Sequence, residues 1–173
     1  MRMLILGTGG MAAQHAKHFA AIEGVSVVAG VDVDPNRLEK FNATHNIPNG
    51  FASLDAAIAW GGFDAVANVT PDSIHHATSI AALKAGKHVF CEKPLALSRA
   101  DAERSVAACR DAGLVLGIGH ERRFEPAIRR LRQILRAGEL GEVLHVRADF
   151  SHDKLAHVAA GDWRADPAQA PAA

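Results

Sequence analysis

The chain has 173 residues, room for one domain with its own core and part of a second. Hydrophobic residues at 49% and charged residues at 22% describe a globular chain, and 19 basic against 19 acidic side chains leave no bulk charge to draw nucleic acid or an anionic membrane. No apolar run reaches the ~20 residues of a membrane span, and a strand pattern begins where a signal peptide would lie.

Residues 2–6 read as a short apolar strand and 10–22 as a helix, with Met11, His15, His18 and Ile22 along one side. Residues 25–32 form an apolar strand ending in Asp32. Asp34 caps a helix through about residue 44, with Pro35 in the first turn, where its missing N–H costs nothing. Ser53 and Asp55 open a short helix to Trp60, closed by Gly61-Gly62, and 64–69 is the next strand. Asp72 or Ser73 caps a helix to Ala85, 87–91 is a strand, Ser98 caps a helix to Asp111, and 114–118 is a last strand. This alternation predicts an α/β fold, a Rossmann-type doubly wound parallel sheet with helices on both faces. Cys91 falls on a strand and Cys109 on a helix; with no disulfide framework, a reducing cytoplasm is expected.

The pattern changes after residue 120. Residues 125–137 form a basic amphipathic helix. Glu142–Ser151 then alternates, with Leu144, Val146, Ala148 and Phe150 on one face, which predicts an antiparallel strand with one side covered. Residues 1–121 are therefore expected to form one domain and 122–173 the incomplete start of a second, with a loose Ala- and Pro-rich end from Ala165.

The first strand runs into Gly7-Thr8-Gly9-Gly10-Met11-Ala12, and the second ends on an acid about twenty residues later. That layout binds a dinucleotide. Gly7 allows the tight turn, Gly9 lets a pyrophosphate approach the backbone, and Ala12 lets the helix lie against the strand. The helix start offers free N–H groups to the phosphates, with Thr8, Gly10 and Met11 inside the turn. Asp32 accepts from the ribose hydroxyls and disfavours a 2′-phosphate, so NAD is favoured over NADP, although Arg37 stands within reach. A glycine turn and an acid also occur in S-adenosylmethionine sites, with a different glycine spacing.

Two later segments carry a resemblance: Thr70-Pro71-Asp72-Ser73-Ile74-His75, and Gly86-Lys87-His88-Val89-Phe90-Cys91-Glu92-Lys93-Pro94. With the glycine turn and Gly119-His120-Glu121-Arg122-Arg123-Phe124-Glu125-Pro126, the chain resembles the N-terminal part of the Gfo/Idh/MocA family of NAD(P)-dependent oxidoreductases. The resemblance implies a Rossmann domain followed by an α+β domain on an open antiparallel sheet. It also implies hydride transfer between NAD(P) and a carbinol of a sugar, inositol or related polyol, and homo-oligomers built through the C-terminal sheet. It places Thr70, Pro71 and His75 beside the nicotinamide half of the cofactor, and Glu92, Lys93 and Pro94 on the catalytic face. Lys93 then polarises the substrate oxygen, while Glu92 orients it or meets the nicotinamide ribose. Without that context, a Glu-Lys pair after a strand is a solvated strand end.

Arg123 is a candidate for cofactor contact across the interdomain cleft, or equally a solvated helix start beside Arg122. Trp163-Arg164 resembles a family segment of the substrate domain or serves as a buried aromatic anchor. Ten histidines invite a metal, but no Cys/His/Asp cluster has ligand spacing, so none is expected; His76 reads as a helix-surface residue. The Asp and His pair that the family places a helical turn apart, past a glycine-rich turn, is missing. The chain is therefore expected to be a fragment, inactive alone; the alternative is a dinucleotide-binding module or redox sensor without turnover.

Overall fold

The computed structural model describes residues 1–149 together with 151, 153, 158, 161, 165 and 166. Strands and helices alternate: β1 (Arg2–Leu6), α1 (Ala12–Ala20), β2 (Ser26–Val31), α2 (Pro35–His45), β3 (Asn49–Phe51), α3 (Leu54–Trp60) and β4 (Ala65–Asn68). Then come α4 (His75–Lys84), β5 (His88–Cys91), α5 (Arg99–Asp111), β6 (Leu116–Ile118) and α6 (Pro126–Arg136). The strands form one sheet in the order β3-β2-β1-β4-β5-β6, and every described pair is parallel. The order reverses direction at β1 and β4, the switch point where ligands enter sheets of this kind.

Strand period explains the two cores. Met3 and Ile5 of β1, with Ala65 and Ala67 of β4, meet Ala12 and Ala16 of α1 and Phe41 of α2 on one face. Leu4, Leu6, Val66, Val89 and Cys91 point the other way, against Leu54 and Ala57 of α3, Ala82 and Leu83 of α4 and Cys109 of α5. Both cysteines are buried and free, and burial pushes the Cys91 thiol up to about 12.

The caps expected at Asp34, Ser53 and Ser98 form. Asp34 Oδ1 accepts from the backbone N–H of Asn36 and Arg37, Ser53 Oγ from Ala56, and Ser98 Oγ from Asp101. Four local features differ from the sequence expectation. β3 is three residues around a glycine, too short to show a period. Asp72–Ile74 is a 3₁₀ turn, so α4 starts at His75 without a side-chain cap. A second 3₁₀ turn occupies Glu121–Phe124. The strand expected from residue 142 does not form over 142–149, where no partner is available to complete a ladder among the described residues. Phe150, His152, His157, Trp163, Arg164 and most of the Ala- and Pro-rich end lie outside the described residues. Ile128, Leu131 and Leu135 of α6 are exposed, although they share its apolar side.

Candidate functional site

The C-terminal ends of β1, β2, β4 and β5 bring the sequence motifs to one edge of the sheet. Gly7 leaves β1 with φ 87°, and a Cβ built there would lie 2.8 Å from the Val69 carbonyl oxygen. Both the backbone angle and the close passage of the loop after β4 demand glycine. Gly9 and Gly10 differ: a Cβ at either would meet no protein atom within 4 Å. Packing within the chain does not explain those glycines, which leave open space beside the turn. Ala12 is fully buried against the sheet. Unlike α2, α3 and α5, α1 has no side-chain cap; the Ala12 and Gln14 N–H groups bond back to the Gly9 and Met11 carbonyls, which leaves the Ala13 N–H of the first turn for a ligand. Met11 is exposed at the same rim. The residues of the turn therefore fit a diphosphate.

Asp32 follows β2 and is buried. Its Oδ2 accepts from the Thr8 backbone N–H at 2.8 Å and the Thr8 hydroxyl at 2.7 Å, and its Oδ1 from the Asp34 N–H at 2.9 Å. Burial pushes this carboxyl up, but those hydrogen bonds and the Arg37 charge outweigh it, so it lies below its ordinary range. Arg37 Nε is 3.6 Å from Asp32 Oδ2, and its Nη2 is 3.4 Å from Asp34 Oδ2. With three hydrogen bonds accepted, the carboxylate keeps about one acceptor site, on Oδ1, for a ligand hydroxyl, while the guanidinium stands beside it.

The loop after β4 carries Thr70 and Pro71. Asn68, fully buried at the end of β4, donates to Thr78 Oγ1 at 2.7 Å and Ser79 Oγ at 3.0 Å, and accepts from the Thr70 hydroxyl at 2.7 Å. His75 lies inside, 1% exposed. Its Nδ1 is 2.6 Å from the Pro94 carbonyl oxygen and its Nε2 2.8 Å from that of Thr70. The imidazole ties the loops after β4 and β5 together and does not open onto the crevice. The Lys93-Pro94 peptide is cis.

Glu92 lies half-buried just past β5. Its Oε1 is 2.7 Å from His15 Nε2, and its Oε2 accepts from the Lys93 backbone N–H at 3.1 Å. Burial pushes the carboxyl up; the His15 hydrogen bond, the Lys93 N–H and the neighbouring positive charges bring it below its ordinary value. Lys93 is exposed and borders a cleft of about 380 Å³ with Gly119, His120, Glu121, Arg122 and Arg123. Arg122 pairs with Glu125 at 3.0 Å. A depression of about 860 Å³ between α1 and α2 opens at the opposite end of the strands and holds none of these groups.

His15, Gly119 and Asn68 were not read as site residues from sequence. A polar Asn closing an apolar strand was the available signal for Asn68. His76 is half-buried, with Nδ1 2.9 Å from Ser105 Oγ and Nε2 3.3 Å from Asp101 Oδ1. Those residue types serve hydrolases, but Ser105 is wholly buried and its hydroxyl donates to the Asp101 carbonyl, so no nucleophile is presented. Among the described residues no group of three His, Cys, Asp or Glu could hold a metal ion.

The family model for the oxidoreductase family with an NAD-binding Rossmann fold matches residues 1–120, and that of the GFO/IDH/MocA C-terminal domain matches 128–173. The chain belongs to the Gfo/Idh/MocA family. One relative is 4-carboxy-2-hydroxymuconate-6-semialdehyde dehydrogenase of Sphingobium, 34% identical over 81% of this chain and 44% of its own. Scyllo-inositol dehydrogenase of Lactobacillus casei, solved with NAD(H) and scyllo-inositol, superposes with TM-score 0.76 at 28% identity, covering 82% of this chain and 42% of that one. A putative NADPH-dependent oxidoreductase of Desulfitobacterium hafniense gives TM-score 0.86 at 27% identity, over 98% and 49%. This Gfo/Idh/MocA chain thus spans less than half the length of each of these relatives.

Proposed function

We propose that the chain is the cofactor-binding part of a nicotinamide-dependent oxidoreductase acting on a carbinol of a sugar, inositol or related polyol. Residues 1–121 form the nucleotide domain and 122–173 begin the domain that completes the substrate site and builds homo-oligomers through its sheet. The observation that carries the reading is the glycine turn. Gly7 is fixed by the protein's own packing, whereas Gly9 and Gly10 face empty space at the start of an uncapped helix, with Asp32 at ribose distance in sequence.

A nicotinamide cofactor held by the turn and Asp32 would supply the hydride chemistry. The chain's own groups bind and orient it. The turn and α1 hold the diphosphate, Asp32 accepts from the adenosine ribose, and Thr70 and Pro71 wall the nicotinamide half. Lys93 brings an ammonium to the substrate oxygen, stabilising the negative charge that develops there as a base of the substrate domain takes the hydroxyl proton. Glu92 fixes the backbone beside it, and Arg123 reaches the same cleft. NAD is favoured because the Asp32 carboxylate would repel a 2′-phosphate ~4 Å away by about 4 kcal/mol at an effective dielectric of ~20. Arg37 opposes that term, so discrimination is moderate. A reducing cytoplasm suits the two free thiols.

Calorimetry of this chain with NADH tests the cofactor site, and absence of binding by folded protein would refute it. In the complete gene product, Lys93→Met should lower kcat by ~10²-fold or more with NAD affinity kept. NADH binding without turnover on any of a panel of polyols would instead mark a sensor.

A further inference from the structure

The His15–Glu92 contact joins two parts of the site that the sequence keeps 77 residues apart. Strand parity sets it up. Val89 and Cys91 face α4 and α5, so Phe90 and Glu92 face α1. On neighbouring β6 and the residue after it, the positions on that side are Gly117 and Gly119. A Cβ at Gly117 would lie 3.2 Å from the Phe90 ring, and one at Gly119 3.0 Å from the Glu92 carboxylate. The two glycines leave room for Phe90 and Glu92 to lie across β6. From α1, His15 reaches in one turn after the glycine loop. Its ring lies over Phe19 and Phe90, with centroids 6.1 and 5.5 Å away, and its Nε2 meets Glu92 Oε1 at 2.7 Å. An ionised carboxylate only accepts, so Nε2 carries the proton and donates.

We propose that His15 is a positioning residue that fixes the Glu92 carboxylate beside Lys93 from the helix that opens at the diphosphate turn. The role rests on the function proposed above. With Oε1 taken by His15 and Oε2 by the Lys93 backbone N–H, the carboxylate cannot swing, and the strand end that presents the Lys93 ammonium is tied to the element that seats the cofactor. Seating the cofactor and placing the lysine are then a single geometric event across β1, β4 and β5.

Three variants test this. His15→Phe keeps the ring stack and removes the donor. His15→Gln restores an N–H at similar reach. Gly119→Ala leaves His15 intact and crowds Glu92 from the opposite side. Carboxyl ¹³C titration of this chain should place wild-type Glu92 below the ordinary ~4.3. It should rise in His15→Phe and stay near wild type in His15→Gln. In the complete gene product, His15→Phe and Gly119→Ala should each lower kcat about tenfold with KM for NAD changed less than twofold, and His15→Gln should recover most of the loss. A His15→Phe protein with wild-type Glu92 titration or wild-type kcat overturns the role while leaving the function standing. A wild type that binds no NAD(H) overturns both.

Discussion

Thr8 donates its backbone N–H and its hydroxyl to the same oxygen of Asp32, at 2.8 and 2.7 Å. The glycine turn and the acid proposed to read the ribose are thus one hydrogen-bonded unit. Replacing Asp32 by Ser removes a charged acceptor from two backbone N–H groups and from the ribose. Hydrogen bonds to a charged group contribute about 1.5–3 kcal/mol. NADH affinity should fall roughly 10–100-fold, and affinity for NADPH should fall less or rise, because Arg37 then faces the 2′-phosphate without a competing carboxylate. Titrating both cofactors into wild type and variant checks this; an unchanged NADH to NADPH ratio contradicts it.

Gly7 and Gly9 look alike in sequence and should behave oppositely. Gly7→Ala forces a side chain into φ 87° and against the Val69 carbonyl, which costs about 2–4 kcal/mol. Gly9→Ala meets no protein atom within 4 Å, so its stability should change by less than about 0.5 kcal/mol. Its NADH affinity should nevertheless fall at least tenfold, since the methyl occupies the phosphate's approach. Urea unfolding and NADH calorimetry on the two variants separate the effects.

The His75 ring reaches the carbonyls of Thr70 and Pro94 while almost fully buried. A neutral imidazole carries one N–H, so His75→Leu leaves one of these oxygens without its donor, and a buried unsatisfied acceptor costs about 1–3 kcal/mol. Denaturant unfolding should show a loss of roughly 1–3 kcal/mol. NADH binding should weaken as well, because the loops after β4 and β5 lose their tie.

Features set by local chemistry were legible in the sequence. Asp34, Ser53 and Ser98 announced their helices because a cap needs only a short polar side chain and the next turn. The parallel sheet followed from apolar runs between them, and Gly7 and Ala12 from the motif. The fate of His75 was not legible: the Thr-Pro…His segment placed it at the rim, and only the fold shows its ring turned onto two backbone carbonyls. His15 was hidden for the same reason. Its partner arrives from β5 through strand parity and two glycines on the next strand, a relation of three segments that no window of sequence contains. The alternation from residue 142 was real, but a strand exists only with a partner to bond.

Acid should weaken the folded chain through carboxylates held below their ordinary range. Asp32 and Glu92 are lowered, and Asp64 lies at about 2, held by the Arg2 side chain and backbone N–H. A carboxyl whose folded value is depressed binds protons more readily when unfolded, so its stabilisation is complete above the unfolded value near ~4 and disappears as pH falls through the folded one. Stability should therefore be level from pH 7 to about 5 as far as these groups act, and decline from about 4 towards 2. The Arg2–Asp64 pair is solvent-exposed, which limits its share through screening. Asp64→Asn should accordingly soften the acid decline only slightly, whereas Asp32→Asn, which removes the charge and one acceptor oxygen of a buried group, should remove more of it. Urea midpoints measured at half-unit steps between pH 7 and 3 would reveal the order; a larger effect from Asp64 would mean that the exposed pair, and not the buried turn, governs acid stability.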